Sequence, residues 1–167
     1  MNKTEVIKLN KLPESVEELQ AMFGDYSHSP FKMAGLAVAV FCHWEKDAKE
    51  TVEMLNVIKG PRPMTQLDEQ FVNDRLKGKG YVVRSYINGT SPENDYSLPE
   101  APYEIEVSDN PYSYQNENYA TLYLKSSGAD SLRPITLREK PSTGEWFLWE
   151  HTFLSDIRIP KSMDEWA

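Results

Sequence analysis

The chain has 167 residues, 40% of them hydrophobic and 26% charged, with a formal net charge of −8. That is an ordinary globular mixture, long enough for one sizeable core, and it argues against a nucleic-acid or anionic-membrane partner, because an acidic surface repels phosphates. Cys42 is the lone cysteine, so no intrachain disulfide and no zinc–cysteine cluster can form. The polar stretch Met1 to Ser15 holds no signal-peptide apolar region, and the expectation is a cytoplasmic protein without a cofactor or metal. The charge is unevenly placed. Residues 1–80 carry 11 Lys/Arg against 12 Asp/Glu, and residues 81–167 carry 7 against 14. Between Arg84 and Lys125 there are seven acids and no Lys or Arg.

Four capped helices are predicted first. Ser15 with Glu18 forms a capping box for a helix that runs to Phe23 and stops at Gly24. Ser29 caps a second helix, with Pro30 at its first position, where no N–H is needed. Met33 to Cys42 contain no polar side chain. A helix apolar all round is buried on every side, and this one is too short to cross a bilayer, which takes about 20 residues. Gly35 and Ala39 leave one of its faces nearly bare for a close neighbour. Asp47 with Glu50 opens a third helix with Val52, Leu55 and Ile58 inward, ended by Lys59-Gly60-Pro61. Thr65 with Asp68 opens a fourth, with Leu67, Phe71 and Arg75 on one stripe and Lys77-Gly78 at its end.

From Tyr81 the pattern is β. Strands are expected at Tyr81 to Ile87, Tyr103 to Val107, Tyr119 to Lys125, Pro134 to Glu139 and from Trp146 toward Leu154. The last is apolar on both faces near its start and is expected to be central in the sheet. The 15 residues from Asn88 to Pro102 form a long loop, functional or mobile by its length. The architecture expected is α+β: a single domain over 1–167, with a helical part at about 15–78 packed on a mainly antiparallel sheet of about five strands at about 81–154.

No Gly-rich phosphate loop and no nucleophile elbow is present, and His28, His43 and His151 lack metal-ligand spacing. Cys42 and His43 are consecutive on a helix and point about 100° apart, so Cys42 reads as a structural thiol. The densest unusual composition is Asp109 to Tyr119, where tyrosines, amides and acids share a turn. Rings supply contact area and amides supply hydrogen bonds, so Asp109, Asn110, Tyr112 and Tyr114, with Trp146, are the candidate ligand-binding residues. The competing reading packs the same rings onto the sheet. The function expected is a non-catalytic binding or interaction module for a protein or small-molecule partner. The alternative is a small hydrolase using His151 with carboxylates such as Asp109 or Glu150.

Five stretches together resemble a known family. They are Ser29-Pro-Phe-Lys-Met-Ala, Met54-Leu-Asn-Val-Ile-Lys-Gly-Pro-Arg-Pro63, Asp109-Asn-Pro-Tyr-Ser-Tyr114, Ser127-Gly-Ala-Asp-Ser-Leu-Arg-Pro134 and Trp146-Phe-Leu-Trp-Glu150. They are similar to a domain of unknown function in Gram-positive bacterial proteins, over about Leu12 to Ala167. The resemblance implies a bacterial protein and brings no catalytic residue with it.

Overall fold

The structure, a computed structural model, describes residues 2–167. Helix α1 is Val16–Tyr26, α2 Pro30–Phe41, α3 Ala48–Lys59 and α4 Gln66–Leu76, followed by a single turn of helix, α5, at Tyr81–Arg84. The strands are β1 Thr4–Leu9, β2 Tyr103–Ser108, β3 Tyr119–Leu124, β4 Arg133–Lys140 and β5 Glu145–Glu150. They form one antiparallel sheet in the order β1-β2-β3-β4-β5.

The caps follow the sequence chemistry. Ser15, Ser29, Asp47 and Thr65 accept from the backbone N–H groups of Glu18, Lys32, Glu50 and Asp68, each three residues on. Thr65 and Asp68 close a full reciprocal box. At α1 the box is incomplete, because Glu18 accepts from Glu14 N–H rather than from the cap residue. That helix also runs past Gly24 to Tyr26.

Helix α2 is the centre of the core. Phe31 and every residue from Met33 to Phe41 are buried, and the helix touches all five strands. Ile105, Val107, Ala120, Leu122, Leu124, Ile135, Leu137 and Leu148 meet it from the sheet's inner face. The bare face at Gly35 is used by Ile7 of β1: a Cβ on Gly35 would lie 2.6 Å from Ile7 Cγ2.

Several expectations are corrected. Tyr81 to Ile87 is not a strand but α5 and its following turns; Tyr81, Val82, Val83, Tyr86 and Ile87 are buried, and tertiary packing overrides the β preference of Val and Tyr. The fifth strand comes instead from the N-terminal stretch read as polar, where Thr4 to Leu9 pair with Ser108 to Tyr103. Strand β5 is an edge strand, not a central one. On α4 the buried residues are Val72 and Leu76, while Leu67 is 75% exposed. On α3, Met54 joins Leu55 and Ile58 inside and Val52 is half-buried. The long 88–102 loop is anchored by Tyr96, which is fully buried, stacks on Tyr81 and donates its own hydroxyl to Arg158 O at 2.6 Å.

Candidate functional site

The residues singled out from sequence fall in two places. Asp109, Asn110, Tyr112 and Tyr114 sit together on the β2–β3 connection, held by their own hydrogen bonds. Asn110 Oδ1 accepts from Tyr112 N–H at 2.8 Å, and Asp109 Oδ1 accepts from Lys3 N–H at 2.7 Å. The Tyr114 hydroxyl donates to Asp109 Oδ2 at 3.4 Å, and burial together with the Asp109 charge pushes it up to about 12. Both rings remain outside the core, Tyr112 at 69% exposure and Tyr114 at 49%. Trp146 is not with them. It lies on β5, with β3 and β4 between, and is packed against the core.

A different group converges at the β4–β5 edge. Helix α3 ends at Lys59, and Gly60 follows with φ 62° and ψ −127°. Those angles belong to the first central residue of a type II′ turn, which needs a positive φ and therefore glycine. The turn closes through Arg62 N–H to Lys59 O at 3.4 Å. It presses against β5, since a Cβ at Gly60 would lie 2.7 Å from Phe147 Cδ1. Two cations, Lys59 and Arg62, are thereby folded side by side along the sheet edge.

The sheet contributes the other wall. Tyr119, Arg138 and Phe147 are successive cross-strand partners and share the face opposite Ala120, Leu137 and Leu148. Between Leu137 and Thr136 the ladder slips: Leu137 pairs with Leu148 and Thr136 with Glu150. Trp149 is the extra residue of this bulge. Bulges re-aim side chains, and the Trp149 ring meets Tyr119 edge-on at 5.5 Å. The Arg62 guanidinium lies 4.2 Å from the Trp149 ring centroid and that of Arg138 5.0 Å. Arg138 also donates to the Tyr119 hydroxyl.

These parts enclose a cleft of about 340 Å³ lined by Lys59, Pro61, Arg62, Arg138, Glu139, Lys140, Pro141, Phe147 and Trp149. A second lobe of about 190 Å³ shares Lys59, Arg62 and Trp149 and adds Asp68, Phe71, Glu150, His151 and Thr152. Neither lobe includes any of the five sequence candidates. Among the described residues no carboxylate pairs with Lys59, Arg62, Arg138 or Lys140. The larger lobe thus holds four cations and one acid in a chain whose net charge is −8.

Lys59 is 5% exposed. Burial, the largest effect, pulls its amine below the ordinary 10.5; Asp68 and Glu150 act the other way, and Arg62 adds to the lowering. For Asp68, burial acts upward, but hydrogen bonds from Thr65 and the Lys59 charge hold the carboxyl below its usual range. His151 lies between Phe41 and Phe71, with ring centroids at 5.7 and 5.6 Å, and its Nδ1 has no hydrogen-bond partner. Burial first, then the Lys59 charge, lowers it to about 4. A histidine with that basicity and no carboxylate bonded to it is a weak general base at neutral pH. Cys42 is pushed up to about 12 by burial, as a structural thiol should be. Among the described residues no group of His, Cys, Asp and Glu could hold a metal ion, and no helix is long and apolar enough to cross a membrane.

The fold and cleft define an α+β domain with a cationic, aromatic-walled recess on one edge of its sheet. The chain belongs to the family described as a domain of unknown function, DUF6935, whose model matches residues 11–161. No curated protein and no solved structure matches it.

Proposed function

We propose that this protein is a cytoplasmic binding module whose ligand carries a carboxylate or phosphate, held in the cleft between the Lys59–Arg62 turn and β4–β5. The observation that carries the reading is Lys59: a lysine 5% exposed, lining both lobes, with no carboxylate paired to it. Burying a charge without a close partner costs up to several kcal/mol in the limit of a dry site, and Asp68 and Glu150 offset only part of that for Lys59, so the cation suits a counter-charge supplied by a ligand. Arg62 and Arg138 supply planar forks suited to carboxylate and phosphate oxygens, already stiffened by stacking on Trp149. Phe147, Trp149, Pro61 and Pro141 give an apolar body somewhere to rest.

The test is thermal melting in inorganic phosphate against chloride at matched ionic strength. Anything that binds the folded state alone stabilises it, by about 2.7 kcal/mol at a hundred times Kd. The melting temperature is expected to rise in phosphate, and Arg62→Ala with Arg138→Ala to abolish the rise. Identical melting curves in the two salts would end the proposal.

The exposure of Tyr112 and Tyr114 favours a second surface, the β2–β3 loop, for a protein partner. Replacing both by Ala then leaves the melting temperature nearly unchanged; a loss above about 2 kcal/mol would mean the rings serve packing instead.

A further inference from the structure

We propose that Lys59 is an imine-forming amine, and that the cleft takes a 2-oxo acid, with its carboxylate on the Arg62 and Arg138 guanidinium groups and its ketone carbon on Lys59 Nζ. This rests on the cleft being an anion site and adds to it a covalent step.

Three features of the geometry support the step, and the electrostatics agrees with them. The type II′ turn brings Lys59 and Arg62, three residues apart, into the lining of one cleft, the pairing that a ketone next to a carboxylate calls for. The Lys59 side chain is 5% exposed, and a lysine largely withdrawn from water beside another cation is the usual setting of an amine nucleophile. The lowering of its amine by burial and by Arg62 agrees with that setting. Finally, among the described residues no carboxylate forms a close ion pair that would hold the amine as ammonium, while Asp68, Glu150 and His151 line the second lobe together with Lys59.

The step balances without a further reactant. The ammonium first gives up one proton. The nitrogen lone pair then forms a bond to the ketone carbon, and the carbonyl π pair moves to oxygen, which takes that proton. The nitrogen releases a second proton to the hydroxyl, which leaves as water while the nitrogen lone pair forms the C=N bond. The net change is ammonium plus ketone to iminium plus water, so the charge that the cleft acids see is unchanged.

The experiment is reductive trapping. The full chain is incubated with pyruvate and cyanoborohydride and mapped by peptide mass spectrometry for carboxyethyl-lysine. The adduct is expected chiefly on Lys59, with Lys161 and Lys49 as internal references. Inorganic phosphate should suppress the Lys59 adduct and leave the references alone. In urea, where the cleft is gone, Lys59 should lose its preference, and Lys59→Arg should remove the adduct from that peptide. An adduct distributed over exposed lysines in the folded chain overturns the inference. If phosphate stabilises the fold yet Lys59 is not labelled, the covalent step alone falls. If neither occurs, the cleft reading falls with it.

Discussion

Replacing Lys59 by methionine should make the protein more stable, the reverse of what a core substitution ordinarily does. Methionine has a similar length and fills irregular space. The wild-type lysine is 5% exposed and makes no close ion pair among the described residues, so the substitution removes a desolvation cost that exceeds the longer-range attraction of Asp68 and Glu150. Swapping buried charges for apolar groups stabilises by about 1–4 kcal/mol in the best cases; with an open cleft beside the amine, about 1–2 kcal/mol is the reasonable figure. For a chain of this size that is a rise of roughly 2–8 °C in melting temperature. The pH dependence carries the sign. The folded-state value lies below the unfolded 10.5, so the fold disfavours the charged form. The cost is present in full below the folded value, and it vanishes once the pH passes 10.5 and the amine is neutral in both states. The advantage of Lys59→Met should therefore be largest near neutral pH and shrink toward pH 10.5. Differential melts of the two proteins in chloride across that range measure it. The same variant should lose the phosphate-dependent rise. A Lys59→Met protein that melts lower than wild type at pH 7 would refute the reasoning, and would identify Lys59 as the cation that serves the C-terminal end of α3.

His151→Phe should flatten the acid limb of stability: with a folded value of about 4 against 6.5 unfolded, the wild type is at full strength above pH 6.5 and loses up to about 3 kcal/mol as pH falls toward 4. Urea midpoints at pH 7 and pH 4.5 test this, and an unchanged difference between them would count against it. Gly60→Ala should cost about 1–3 kcal/mol, because the type II′ position is strained for any L side chain, and should weaken the phosphate response by displacing Arg62. A melt within 1 °C of wild type would mean the turn rearranges freely. Gly35→Ala sets a helix gain of about 1 kcal/mol against overpacking of about 1–3 kcal/mol, since the new Cβ would meet Ile7 Cγ2 at 2.6 Å and Ile7 Cβ at 2.9 Å. A net loss is expected, and in an Ile7→Ala background Gly35→Ala should cost less; additive effects would show that the helix and β1 do not touch there.

What could be read in advance divides by range of interaction. Caps depend on residues three apart, so Ser29, Asp47 and Thr65 declare their helices in the chain itself. The buried helix is equally plain, because ten consecutive apolar positions have one physical outcome. Strand β1 is not plain. Thr4 to Leu9 is short and charged, and it becomes a strand only because Tyr103 to Ser108 lie alongside to receive its hydrogen bonds. Tyr81 to Ile87 misleads for the opposite reason: its β-formers are buried on several sides by distant elements. The apolar run Trp146 to Trp149 suggests a strand covered on both faces, but a bulge turns Trp149 out of the alternation. The cleft stays hidden for a related reason. Lys59-Gly-Pro-Arg62 signals a helix stop and a turn, and nothing in it announces Arg138 and Lys140, more than 70 residues later.

The acidic character of the chain and its cationic recess act at different ranges. At physiological salt the screening length is about 8 Å, so an approaching anion first meets the averaged surface, which is negative, and meets Arg62 and Arg138 only when nearly in contact. An extended polyanion must lay many charges along that surface to deliver one to the cleft, and each is repelled. A compact anion with a single carboxylate or phosphate meets the repulsion once and is then surrounded by up to four cations at short range. Salt should thus help such an anion to approach, by screening the global field, while weakening its grip inside less, because Lys59 is buried. If the recess is an anion site as proposed, the negative net charge and the positive recess are two halves of one selection rule that admits small anions and keeps long ones away.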